Sequence, residues 1–152
     1  MLRSRIITGL VLAFTALIAI YLLPMPVFAL FWWFVGVVAA YEYAGLAGIE
    51  KRTLRYAYAG VYTLLVIATH FEPALRVPGL FISAAIWAGA LICVFTYPAS
   101  GAAIRPWVTG VVGIFISWAS WIALLVIRES PGGSNWLLWM ILVVAFADIG
   151  AY

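Results

Sequence analysis

The chain has 152 residues, 68% of them hydrophobic and 9% charged, with a formal net charge of +3. A soluble domain is about half apolar and about a quarter charged, and so short a chain leaves much of its surface exposed on folding, so a water-soluble globule is excluded and lipid is the solvent. The net positive charge does not mark a nucleic-acid protein either: the eight basic residues are scattered between apolar stretches, where they read as anchors flanking membrane spans.

A spanning helix needs about 20 mostly apolar residues, and six segments qualify. The first covers residues 6–23 and follows Arg3 and Arg5. It exceeds the roughly 7–15 residues of a secretory h-region and ends at Pro24-Met25-Pro26 without a small-residue cleavage site, so it reads as an uncleaved span. The second covers 27–48, the third 55–71, the fourth 79–97, the fifth 107–127, and the sixth 135–152, still apolar at Tyr152 and therefore expected to be incomplete. The breaks carry turn chemistry: Pro24 and Pro26, the charged Glu50-Lys51-Arg52, Pro73 and Pro78, residues 98–101 with Pro106, and Pro131-Gly132-Gly133. The third span is the weakest, being short and holding His70 near its end. The expected fold is an all-α, polytopic transmembrane bundle of about six spans in a single domain.

A cytoplasmic N-terminus puts Arg3, Arg5, Lys51, Arg52, Arg55 and Arg105 inside and only Arg76 and Arg128 outside, the asymmetry of the positive-inside rule. Trp32, Trp33, Tyr97, Trp107, Trp136 and Trp139 fall near span ends, where amphipathic rings favour the interface, whereas Trp118 and Trp121 lie deeper and read as packing residues. Gly110, Gly113, Ser117 and Ser120 share one face of the fifth span, and Gly36, Ala40 and Ala44 one face of the second. Such small-residue faces predict helix contacts, because lipid gives helices little hydrophobic reason to associate. Cys93, the one cysteine, sits in an apolar run and reads as a small packing residue.

Few residues are suited to chemistry. Glu50, Glu72 and Glu129 lie in loops, but Glu42 and Asp148 lie inside spans. A carboxylate at the membrane centre costs at least about 2.5–3.5 kcal/mol, which makes an intramembrane acid a functional candidate. Glu42, between Tyr41 and Tyr43, also suits a hydrogen-bonded packing role; Asp148 stands near Gly150, where a backbone can be approached closely. His70 has no second histidine or cysteine near it, so a metal role there is not expected. No phosphate-cradling glycine loop, zinc-protease helix or nucleophile elbow occurs.

The opening Met1-Leu2-Arg3-Ser4-Arg5-Ile6-Ile7-Thr8-Gly9, the turn at Leu22-Leu23-Pro24-Met25-Pro26, the stretch Tyr41-Glu42-Tyr43-Ala44-Gly45-Leu46-Ala47-Gly48, and above all the close Ala147-Asp148-Ile149-Gly150-Ala151-Tyr152 resemble the bacterial phosphatidate cytidylyltransferase (CDP-diacylglycerol synthase) family. The resemblance implies an Mg²⁺-dependent nucleotidyltransferase of phospholipid synthesis in the bacterial inner membrane. It would join CTP to phosphatidic acid and release pyrophosphate, with Asp148 as a catalytic or metal-binding residue and Glu42 as a lesser catalytic candidate. Its partners would be CTP and membrane lipid, with a homo-oligomer as a further expectation and no nucleic acid. The family continues beyond its A-Y pair into a Ser/Pro/Lys-containing loop and a Lys/Asp-rich signature, so this chain is expected to be an N-terminal fragment without the complete catalytic part. Two alternatives stand beside this reading: a small non-enzymatic multi-pass protein, such as a transporter fragment or interaction subunit, and an enzyme acting on another lipid phosphate.

Overall fold

The computed structural model describes the backbone of residues 2–98 and 105–150; the side chains of residues 2–8, 10, 148 and 149 lie outside the described residues. The anchors Arg3 and Arg5, the side chain of Asp148 and the closing Ala151-Tyr152 pair are thus outside them. The described residues form helices and turns only: α1 Leu2–Leu22, α2 Met25–Leu46, α3 Arg52–Phe71, a 3-10 turn Pro73–Leu75, α4 Arg76–Phe95, α5 Pro106–Glu129 and α6 Gly133–Gly150. Met25–Leu46, Pro73–Phe95 and Pro106–Glu129 are long and apolar enough to cross a bilayer, and Val11–Leu22 and Gly133–Ala147 are shorter apolar helical segments. Leu12, Phe34, Phe81, Phe95 and Phe146 are all exposed. So much exposed apolar surface is untenable in water, and the chain is an all-helical membrane protein.

Two expected boundaries move. Pro78 was placed in a break, yet it lies in the first turn of α4, which starts at Arg76. Proline is tolerated there because the first N–H groups of a helix have no intrahelical partner to lose. The weak third span is a full 20-residue helix. Its modest hydropathy has a local cause: polar side chains on α3 turn toward neighbouring helices, and Ala59, Tyr62, Val66 and Thr69 form its buried stripe.

The chain divides into two compact units, one of residues 1–31 with 124–152 and one of residues 32–123. In the first, Ala19, Ile20, Phe28, Leu125 and Leu137 are buried. Polar ties supplement that packing: Tyr21 Oη donates to Asn135 Oδ1 at 2.9 Å, Ser134 Oγ donates to the Ile20 carbonyl at 3.3 Å, and the Arg128 guanidinium lies 5.8 Å from the Phe28 ring centre.

In the second unit, small residues serve as seats for aromatic rings. A Cβ on Gly36 would fall on the Tyr62 hydroxyl, and one on Gly113 would fall on the Tyr43 ring. Ala40, Ala44, Gly110 and Gly113 are buried as the small-residue faces predicted. Ser120 departs from the prediction: it is exposed, and its hydroxyl donates to the Ile116 carbonyl of its own helix at 2.8 Å. Trp118 and Trp121 are buried, as expected. Trp118 Nε1 donates to Thr69 Oγ1 at 2.8 Å, while its ring and Ile122 press on Gly79 of α4. Cys93 is only half-buried on α4 rather than in the core.

Candidate functional site

The second unit has a basic end, where the C-terminus of α2, the turn into α3 and the N-terminus of α5 meet. Helix α2 stops because Gly48 adopts φ +79°. Ile49 N–H then reaches back to the Ala44 carbonyl at 3.0 Å and Gly48 N–H to the Gly45 carbonyl at 3.1 Å. This is a Schellman ending, which needs a residue free to take the left-handed conformation, and glycine does so without steric cost. Pro106 opens α5 beside this turn, 3.8 Å from where a Gly48 Cβ would stand.

The turn fixes Arg55. Its Nε donates to the Ile49 carbonyl at 2.7 Å. Its guanidinium lies flat on Gly45, where a Cβ would meet Cζ at 2.9 Å, and sits 5.9 Å from the Tyr41 ring centre. Tyr41 in turn packs at 5.0 Å against Tyr56, over which Arg52 lies at 5.7 Å. Two guanidiniums thus flank a pair of tyrosines. Arg52 is exposed, and a guanidinium stays cationic throughout the physiological range. Arg55 is half-buried and held at three points, unlike a solvated surface cation.

Below this rim lies an apolar cavity of about 650 Å³ between α3 and α5. Tyr58, Val61 and Leu65 form the α3 wall, and Trp107, Val111 and Ile114 the facing wall, with Ile49 at the rim. The Tyr58 hydroxyl is already engaged, donating to the Gly110 carbonyl at 2.6 Å. The wall is therefore apolar in effect as well as in composition. The volume falls within the roughly 300–1,000 Å³ usual for ligand sites.

The residues expected from sequence are placed as follows. Glu42 is exposed on α2, while its neighbours Tyr41 and Tyr43 turn to α3 and α5. It is not the buried packing carboxylate that its tyrosine flanks suggested. Asp148 falls within the backbone span of α6, with its side chain outside the described residues. His70 is exposed, its ring edge-on to Phe71 at 5.4 Å. Among the described residues no three His, Cys, Asp or Glu side chains gather into an all-protein metal cage. Sequence reasoning missed Arg55, which it had assigned only to the positive flank of a span. The signal was its place one turn before Tyr58, close after the Gly48 turn that it caps.

Comparison with known proteins bears on this arrangement. The model of the cytidylyltransferase family matches residues 3–152. The phosphatidate cytidylyltransferase of Pseudomonas aeruginosa is 36% identical over 153 residues, covering 100% of this chain and 56% of the relative. The chain thus spans a little over half the length of that curated relative. No solved structure is significantly similar. With its family match running through nearly every residue and its all-helical membrane fold, the chain belongs to the cytidylyltransferase family.

Proposed function

We propose that this chain supplies a membrane-embedded part of a phosphatidate cytidylyltransferase of the bacterial inner membrane. In the reaction, an oxygen of the phosphatidic acid phosphate bonds to the α-phosphorus of CTP. The bond from that phosphorus to the oxygen bridging to the β-phosphorus breaks, and pyrophosphate leaves with the electron pair, giving CDP-diacylglycerol. The observation that carries this reading is the full-length family match together with the 36% identity to a phosphatidate cytidylyltransferase.

Within that reading, Asp148 is the principal catalytic candidate and Glu42 the lesser one, and Mg²⁺ would supply neutralisation of the charge on the phosphoryl oxygens. A homo-oligomer belongs to the same reading and is checked by native mass measurement in detergent. The decisive experiment replaces Asp148 with asparagine in a full-length enzyme carrying this segment and measures CTP incorporation into lipid at saturating Mg²⁺. Loss of a group that stabilises transition-state charge lowers turnover by about 10²–10³-fold. Unchanged turnover would remove Asp148 from the site. Absence of CTP-dependent product from the unsubstituted enzyme would overturn the function itself.

A further inference from the structure

We infer that the groove between α3 and α5 seats one acyl chain of a phosphatidic-acid-type lipid, and that Arg55, assisted by Arg52, binds its phosphate monoester at the rim. The inference rests on the lipid-substrate reading above and assigns that substrate a place on this chain.

Three observations converge on it. The first is the register of α3. Tyr58, Val61 and Leu65 line the groove from one face of α3; Arg55, one turn earlier and turned toward α2, meets the groove at Ile49, whose carbonyl it holds. From Arg55 to Leu65 the helix rises about 15 Å. That is about half of the roughly 30 Å hydrocarbon thickness, or one leaflet. A chain lying along the groove with its head at Arg55 would end near the midplane.

The second observation is the state of Arg55. Its Nε is committed to the Ile49 carbonyl, but its two terminal amino groups make no hydrogen bond to a described residue. A guanidinium held in this way presents a preformed fork suited to phosphate oxygens.

The third is charge. Residues 50–55 place Lys51, Arg52 and Arg55 against the single Glu50, and Arg105 precedes the other wall of the groove. A phosphate monoester carries about 1.5–2 negative charges near neutral pH. A diester headgroup carries one phosphate charge, so this local excess of cations favours the monoester.

The test places the chain in phosphatidylcholine vesicles with trace phosphatidic acid bearing a photoreactive acyl chain, and maps labelled residues by mass spectrometry. A parallel sample carries the same chain on phosphatidylcholine. The phosphatidic acid probe is expected to label Val61, Leu65, Val111 and Ile114 about tenfold more than the phosphatidylcholine probe. Arg55→Gln keeps a donor in reach of the Ile49 carbonyl and is expected to abolish that preference, whereas Arg55→Lys retains part of it. Val111→Trp fills the groove from a half-exposed position and is expected to lower labelling by both probes. Equal groove labelling by the two lipids in the unsubstituted protein would overturn the inference, as would labelling confined to other surfaces. So would a preference that survives Arg55→Gln. If Arg55→Gln does not fold, the lipid comparison in the unsubstituted protein and Val111→Trp decide the matter. No CTP is present, so failure here with CTP incorporation intact rejects the groove and leaves the proposed reaction standing.

Discussion

Side chains bridge helices α3 and α5 at two levels, and the two levels are built differently. At one end Trp118 donates to Thr69 and covers Gly79, with Ile122 fully buried beside it. At the other, Tyr58 of α3 on the Gly110 carbonyl and Tyr43 of α2 on Gly113 hold α5 while a cavity of about 650 Å³ opens between α3 and α5. The first end closes because a large indole fills the space and satisfies its own N–H. The second stays open because its tyrosines reach across at their tips and leave Val61, Val111 and Trp107 exposed. The charges follow this division: Lys51, Arg52, Arg55 and Arg105 belong to the open end. Packing is concentrated at the Trp118 end, and room is left at the end that carries these cations.

Substitutions can break this contrast. The largest effect is expected at the closed end. Trp118→Ala removes a buried indole and the hydrogen bond to Thr69, at a cost of about 3–5 kcal/mol by analogy with aromatic truncations in packed cores. SDS-induced unfolding in mixed micelles reads it, and a cost below 1 kcal/mol would mean that this end is not the anchor. A smaller effect, about 1–3 kcal/mol of overpacking, is expected from Gly113→Ala, whose methyl would overlap the Tyr43 ring. Tyr43→Leu should relieve part of that cost, so the double variant would be more stable than the sum of the singles; strict additivity would contradict the ring-on-glycine contact. The smallest is Tyr58→Phe, which removes one interhelical hydrogen bond. In membrane proteins such a bond is worth about 0.6 kcal/mol and at most about 1.7. A larger loss in the same unfolding assay would show that Tyr58 carries more of the open end than its single bond implies.

How much of this was legible in the sequence depended on whether an average or an orientation was needed. Apolar length alone located the helices, and depth within the fifth span identified Trp118 and Trp121 as packing residues. Helix α3 was undervalued because hydropathy averages over all faces, whereas Tyr58, Tyr62, Thr63 and Thr69 turn inward, with Trp33 Nε1 donating to Thr63 Oγ1 at 3.3 Å. The small-residue faces foretold contact but not its form: the partners are rings seated on glycines, which no spacing rule specifies. Arg55 was read only as flanking charge, because its three points of attachment come from a turn, a glycine and a tyrosine on another helix. Asp148 was singled out by a motif, and its family assignment rests on similarity along the chain rather than on geometry.

The most direct test of the contrast is kinetic. In a full-length enzyme carrying this segment, CDP-diacylglycerol formation is measured against phosphatidic acid and CTP for Arg55→Gln and for a variant of the closed end, Trp118→Phe. Arg55→Gln is expected to raise KM for phosphatidic acid about tenfold while kcat and the KM for CTP stay unchanged, and Trp118→Phe is expected to change none of the three. An unaltered KM for phosphatidic acid in Arg55→Gln, or an equal rise in both variants, would contradict the assignment of lipid recognition to the open end.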